Sequence, residues 1–337
     1  MDNINLLVTG GCGFIGSNFI RYMLSKYRYN IINFDKLTYA GNLENLKGIE
    51  DDERYTFAKG DIADKSDLEK VFEKKIDMVV NFAAESHVDR SIIDPDTFIK
   101  TNINGTFNLL EMAKKKEVKR YLQISTDEVY GSLGKEGRFT EKTPLAPNSP
   151  YSASKTSADM LAMAYFKTFN MPVLITRCSN NYGPYQFPEK LIPLIISNAV
   201  EDIELPVYGD GMNVRDWIHV IDHCRGIDTV LHEGRSGEVY NIGGESEKTN
   251  IEIVKLILDI LGKPHSLIKY VKDRPGHDRR YAIDQTKIKE ELGHETSMTF
   301  EKGMEETVKW YVENRPWWER IKSGAYLEYY DMMYKNR

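Results

Sequence analysis

A doubly wound parallel α/β sheet, followed by a smaller mixed α/β domain, is the architecture this sequence predicts. Three observations carry that expectation. Short, continuously apolar runs alternate with helical stretches through the first half of the chain. The first run ends in a glycine-rich turn that opens a helix, and the second ends in an aspartate. After about residue 180 the rhythm breaks into shorter strands separated by loops.

The strand-like runs, in order, are "INLLVTG" (4–10), "NIINFDK" (30–36), "YTFAKGD" (55–61), "MVVNFAA" (78–84) and "RYLQIST" (120–126). They are apolar throughout rather than alternating, as strands are when helices cover both sheet faces. A helix is expected near 14–27 and others near 101–116 and 151–168, where "FNLLEMA" and "MLAMAYF" are apolar enough for burial on two sides. "PVLITRCSN" (172–180) reads as a further strand of the main sheet, so the domains, 1–180 and 181–337, are expected to interleave. In the second part, "ELPVYGDG" and "EVYNIGG" are short strands, and a helix at 249–262 starts from a Thr249–Asn250 cap. Trp317 and Trp318 are read as packing residues.

With 337 residues, 41% apolar and 28% charged, the chain is globular rather than disordered. A net charge of −6 argues against a general nucleic-acid surface. Three widely spaced cysteines exclude a cysteine-built zinc site and suit a reducing compartment. "MDNINLLVTGG" runs straight into a strand, so no secretory signal is expected, and the apolar runs are too short to span a bilayer. A cytoplasmic protein follows from these points. His219 and His223 lie four apart without the carboxylate of a metalloprotease pattern, so they are read as structural and no metal is expected.

"VTGGCGFIG" places Gly10, Gly13 and Gly16 between the first strand and first helix. That spacing allows a tight turn and brings backbone N–H groups to a pyrophosphate at a helix N-terminus, the Rossmann-type arrangement. Asp35 ends the second strand, nineteen positions beyond Gly16. Its carboxylate accepts from both hydroxyls of an adenosine ribose and repels a 2′-phosphate, favouring NAD over NADP. Asp61 and Ile62, closing the third strand, are placed to reach the adenine. Ala83 and Ala84 close the fourth, where small side chains let backbone approach the cofactor.

"SPYSASK" (149–155) opens the helix after the fifth strand, with Ser149 as N-cap and Pro150 in the first turn. Tyr151 and Lys155 are four apart and share a face. An ammonium beside a phenol is expected to lower its pKa, so that the phenolate takes a proton from a sugar hydroxyl as hydride leaves for NAD. Ser125 and Thr126 stand at the neighbouring strand end. They begin "STDEVYG", whose adjacent carboxyls, Asp127 and Glu128, each raise the other's pKa and lose hydration there. Such a pair is costly unless it performs acid–base chemistry.

The dinucleotide turn, Tyr151, Lys155 and Ser125/Thr126 together resemble the extended short-chain dehydrogenase/reductase family, over essentially the whole chain. That resemblance implies nucleotide-sugar substrates, a tightly held NAD and a triad of Thr126, Tyr151 and Lys155. Many relatives, the 4-epimerases among them, carry small or neutral residues where this chain has Asp127 and Glu128. "STDEVYG" is similar to the hallmark of the dTDP-glucose 4,6-dehydratases, as are "FDKLTYAGN", "AAESHVDRSI", "NNYGPYQFPEKLIP", "VRDWIHV", "RPGHDRRYAID" and "NRPWWERI". The reaction implied is oxidation at carbon 4, elimination of water across carbons 5 and 6, and hydride return to carbon 6. Asp127 is then the acid, Glu128 the base, and dTDP-4-keto-6-deoxyglucose the product, for deoxysugar (rhamnose-type) biosynthesis.

The same resemblance makes 1–180 the NAD-binding domain and 181–337 the nucleotide-sugar domain. It adds Phe14, Ile15, Lys36, Thr38, Thr101 and Asn181 to the cofactor site. For the substrate it implies Ser86, His87, Asn180, Lys190, Leu191, Pro206, Tyr208, Arg215, Asn250, Arg274 and His277, with an aromatic such as Tyr39 on the base. Helices near 101–116 and 151–168 are implied to make a four-helix homodimer contact. A 4-epimerase, or a dehydratase of CDP- or UDP-linked sugars, stays open as an alternative. A non-catalytic dinucleotide sensor is disfavoured by the intact Tyr151 and Lys155.

Overall fold

The computed structural model describes residues 4–273, 277–323, 326, 328, 330 and 331. Its main sheet starts from β1 (Asn5–Thr9), which runs through the glycine turn into α1 (Phe14–Lys26). Next come β2 (Asn30–Asp35), β3 (Tyr55–Lys59), α2 (Lys65–Val71), β4 (Met78–Asn81), α3 (Val88–Ile93), α4 (Pro95–Phe98), α5 (Thr106–Lys115) and β5 (Arg120–Thr126). α6 (Pro150–Phe169), β6 (Val173–Cys178) and β7 (Asn180–Tyr182) follow. Beyond them lie α7 (Leu191–Val200), β8 (Leu205–Tyr208), β9 (Val214–His219), α8 (Val220–Glu233) and β10 (Val239–Ile242). The chain closes with β11 (Glu247–Thr249), α9 (Asn250–Leu261), β12 (Ile268–Val271), α10 (Thr286–Leu292), α11 (Phe300–Glu313) and α12 (Arg315–Ile321).

Seven strands form one parallel sheet in the order β10-β6-β5-β4-β1-β2-β3. Side chains alternate between its two faces. Leu6, Val8, Val80 and Leu122 enter the core beneath α1 and α8, whereas Leu7, Val79, Tyr121 and Val173 enter the core beneath α2, α5 and α6. Both faces are dry, which is why these strands read as unbroken apolar runs. β1 pairs with β2 on one side and β4 on the other, so strand order reverses there and a crevice opens beyond the carboxyl ends. β7, β9 and β11 form a second sheet, and β8 pairs with β12. A third core gathers Ile195, Ile253, Met304 and Trp318 from α7, α9, α11 and α12.

The Ser149 cap closes a capping box with Ser152 at the start of α6. The helix expected near 101–116 differs in form: Ile99–Gly105 is wound as a π-helix, and α5 begins only at Thr106. The wider winding accompanies a buried amide. Asn102 accepts from Glu85 N at 2.8 Å, and its Nδ2 donates to Glu85 O at 3.0 Å and Ser154 Oγ at 2.8 Å. The amide is thus satisfied on both edges and ties the π-helical segment to Glu85 and to α6.

A buried ion pair ties the carboxyl end of the sheet together. Arg177 in β6 donates to Asp159 of α6 at 2.9 Å and to the Tyr130 hydroxyl at 3.0 Å; that hydroxyl donates to Asn241 Oδ1 of β10 at 2.8 Å. Removing the guanidinium leaves a buried carboxylate uncompensated. Arg177→Met is therefore expected to cost about 3–5 kcal/mol, measured as a lower urea midpoint.

Candidate active site

One cleft of about 310 Å³ lies across the carboxyl ends of β1, β2, β4 and β5. Its near end is built by the glycine turn. Gly10 has φ +68°, and a Cβ there would sit 2.7 Å from Ala83 N, so strand and turn approach as only glycine allows. A Cβ at Gly16 would collide with the Gly10 carbonyl oxygen. No side chain caps the N-terminus of α1, and Gly13, Phe14, Ile15 and Gly16 line the cleft. That leaves helix N–H groups directed at it, a cradle that fits a pyrophosphate. Asp35 is buried at the rim, accepting from Cys12 N at 2.9 Å and Leu37 N at 2.7 Å. Burial pushes its carboxyl up and those two N–H groups pull it back. The donor set fits a dinucleotide with free ribose hydroxyls. Lys36, Thr38, Asp61, Ile62, Ala83, Ala84 and Thr101 complete this end, Lys36 pairing with Asp61 at 2.8 Å.

At the far end, Thr126 closes β5 and caps a 3-10 turn, Asp127–Tyr130, by accepting from Glu128 N at 3.3 Å. The turn folds Asp127 inward to 2% exposure and leaves Glu128 half-buried. Thr126 Oγ1 lies 3.4 Å from Asp127 Oδ1, while Asp127 Oδ2 has no hydrogen-bond partner among the described residues. Burial, then the charges of Glu128 and Asp216, push the Asp127 carboxyl well above the carboxylate range, and Arg215 pulls it down. Burial with one oxygen unsatisfied favours the protonated form of such a carboxyl. Tyr151 and Lys155 face this turn from α6, and Lys155 Nζ donates to the Ile124 carbonyl at 2.7 Å.

The model of the GDP-mannose 4,6 dehydratase family matches residues 7–307. A dTDP-glucose 4,6-dehydratase of Xanthomonas campestris pv. campestris is 53% identical, over 95% of this chain and 96% of its own. The crystal structure of the Bacillus anthracis dTDP-glucose 4,6-dehydratase in complex with NAD is 59% identical, with a TM-score of 0.89 over 95% of this chain and 100% of that one. The Streptomyces venezuelae dTDP-glucose 4,6-dehydratase, also with NAD bound, is 51% identical with a TM-score of 0.93 over the same shares. The chain belongs to the dTDP-glucose 4,6-dehydratase family.

Within that family's cleft, all five residues proposed from sequence as catalytic (Thr126, Asp127, Glu128, Tyr151 and Lys155) come together. So do Ser86, Asn180, Asn181 and Lys190, the last donating to the Ser86 carbonyl at 3.0 Å. One expectation is corrected. The Tyr151 phenol is pushed well above its ordinary value rather than lowered: burial acts first, then the Glu128 charge, and a hydrogen bond with Thr126 opposes them. The same burial lowers Lys155. Sequence spacing shows that a lysine shares the helix face but not that both groups are out of water.

Other substrate candidates lie off this cleft. His87 caps α3, and Leu191 opens α7. Arg215 donates to the carbonyls of Val214 (2.8 Å) and Asp278 (2.9 Å) and lies 4.4 Å over the Tyr281 ring. Tyr208 of β8 contacts His277, whose Nδ1 is 2.6 Å from Asp273 Oδ1; Pro206 is in the same strand, and Asn250 is the first residue of α9. Of these, Arg215 is near enough to the acid pair for its charge to pull the Asp127 carboxyl down. Arg274 lies outside the described residues. One face of Tyr39 is covered by the Arg90 guanidinium at 3.8 Å.

Glu85, Gln186, Phe187 and Glu189 also line the cleft and were not singled out from sequence, although all four lie inside quoted stretches. Burial pushes both carboxyls up, with Arg90 opposing in each case. The Tyr281 phenol feels the Glu128 charge and donates to Asp278.

Because folding raises the Asp127 pKa, the folded state binds more protons than the unfolded one between the ordinary carboxylate value and the raised value. Stability therefore falls with rising pH through that window. Asp127→Asn removes the penalty: it is expected to be about 0.5–2 kcal/mol more stable than wild type above neutrality. In thermal unfolding compared across pH, the difference should shrink as pH falls to the ordinary carboxylate value and vanish below it, where the side chain is protonated in folded and unfolded chains alike.

Proposed function

We propose that this protein is an NAD-dependent dTDP-glucose 4,6-dehydratase. The observation that carries the reading is a buried Asp127 carboxyl, one oxygen of which has no partner among the described residues, next to Glu128 and in the same cleft as Tyr151, Lys155 and the dinucleotide cradle. NAD, held by the glycine turn and Asp35, supplies a hydride acceptor for carbon 4 and a donor for carbon 6. The chain's own residues move the protons. Tyr151 takes the proton of the sugar 4-hydroxyl, oriented by Thr126, with Lys155 placed to hold a ribose and favour the phenolate once cationic nicotinamide is near. The resulting ketone acidifies carbon 5. Glu128 removes that proton while Asp127, biased by burial towards its acid form, gives one to the departing 6-hydroxyl, and hydride return to carbon 6 is matched by return of a proton to carbon 5.

Ser86, His87, Asn180, Lys190 and Leu191 are assigned to the sugar and diphosphate end. Pro206, Tyr208, Arg215, Asn250 and His277 are assigned to the nucleotide, with cations where a diphosphate needs them. Residues 1–180 and 181–337 are taken as cofactor and substrate domains, with β10 returning to the main sheet. No described helix is long and apolar enough to cross a membrane. The cysteines at 12, 178 and 224 are unpaired thiols, which supports the cytoplasm as the location.

A homodimer through α5 and α6 is supported by Ile92, Ile93, Ile99, Phe107 and Met160. All are at least 40% exposed and stand on neighbouring helical segments. Phe107→Glu combined with Met160→Glu should halve the mass measured by light scattering; an unchanged mass would remove this face as the interface.

Purified protein with dTDP-glucose in deuterated water should give a 4-keto-6-deoxy product with deuterium at carbon 5. Glu128→Gln should retain NAD and slow elimination by about 10²–10⁴-fold. A galactose epimer as product would contradict the assignment, and turnover only with UDP- or CDP-glucose would move the base.

A further inference from the structure

Two stretches quoted from the sequence, "FDKLTYAGN" and "NRPWWERI", receive no task from the reaction beyond Asp35, Lys36 and Thr38. In the folded chain they lead to one contact. Trp317 of α12, 7% exposed, donates its indole Nε1–H to Asn45 Oδ1 at 3.0 Å. Asn45, 2% exposed, lies in a 3-10 turn, Leu43–Leu46. Its Nδ2 donates to the Cys12 carbonyl at 2.9 Å, and Asn42 N reaches the same oxygen at 3.0 Å. Cys12, inside the glycine turn, gives its own N–H to Asp35 Oδ2 at 2.9 Å. Arg21 of α1 holds the Asn45 carbonyl through Nε at 2.9 Å and Nη2 at 2.8 Å. On the outside, Arg320 of α12 forms a two-pronged pair with Glu44.

Between Asp35 and this turn, Lys36, Thr38, Ala40 and Gly41 line the cleft. The segment is strained. Leu37 has φ +59°, a region a branched side chain rarely occupies, and is held by its N–H to Asp35 Oδ1 at 2.7 Å. Strain of this sort persists only where the surroundings over-determine it. Asp35 fixes one end, and Asn45 with Trp317 fixes the other.

We propose that Trp317 and Asn45 latch this segment, so that the C-terminal helix sets how long the dinucleotide stays in the cleft. Trp317 is a positioning residue acting through Asn45 and Cys12. The inference rests on the reading of the cleft as an NAD site, and suits its chemistry. The cofactor ends each turnover as it began, so nothing in the cycle requires its release.

The test loads full-length protein with NAD, removes free NAD by gel filtration and follows the loss of bound NAD with time. Trp317→Phe keeps an aromatic ring and leaves Asn45 Oδ1 unpaired; NAD loss should accelerate about tenfold. Activity lost on dilution should return when NAD is added, which a purely structural defect would not permit. Trp318→Phe is the control, because that indole donates to Tyr311 O at 2.8 Å and not to the latch; its NAD loss should match wild type. Arg320→Met, at the exposed rim, should accelerate loss about two- to threefold and serves if Trp317→Phe does not fold. Equal loss from Trp317→Phe and wild type overturns the latch, as does equally fast loss from Trp318→Phe or activity that added NAD does not restore. A wild type that never holds NAD overturns the cofactor reading and the latch with it.

Discussion

The proposed chemistry depends on keeping one carboxyl out of water. Asp127 follows the last residue of β5 and is turned inward by the Thr126-capped turn, leaving one oxygen without a partner. An ionised carboxylate there is disfavoured by lost hydration, which biases the group towards its acid form. The surroundings hold it in place despite that cost. β5 is clamped between β4 and β6, and the turn behind Asp127 is anchored by Tyr130, Arg177 and Asp159.

Burial sets the tone for the whole cleft. Asp35, Glu85, Glu189 and Asp127 are all pushed up, and the Tyr151 phenol with them. Arg90 opposes this at Glu85 and Glu189, and Arg215 at Asp127. Burial thus biases these acids and the phenol towards their protonated forms, a balance that a ligand changing the local field would shift. A cationic nicotinamide ring is the kind of charge that would draw the phenol down, which the lysine four residues away does not do by itself.

What could be read from sequence is what is local in the chain. Gly10, Gly13, Gly16 and Asp35 report their task through spacing. Tyr151 and Lys155 do so through one helical turn, and the strands through unbroken apolar runs that end near their observed limits. What could not be read depends on long-range burial. Asn102 forces no helix irregularity until it meets Glu85 and Ser154, and Trp317 looks like packing until Asn45, 272 positions away, arrives beside its indole N–H. Glu189 is one acid among many until Arg90 and the cleft surround it. The direction of the Tyr151 shift failed for the same reason: periodicity places a side chain on a face but says nothing of its solvent.

The protonation state of Asp127 tests the account most directly. Isotope-edited infrared difference spectra of wild type against Asp127→Asn, recorded on NAD-loaded protein at neutral pH, resolve a protonated carboxyl from a carboxylate. The account predicts the carbonyl stretch of a protonated acid, lost in the variant. A carboxylate band at neutral pH would contradict it.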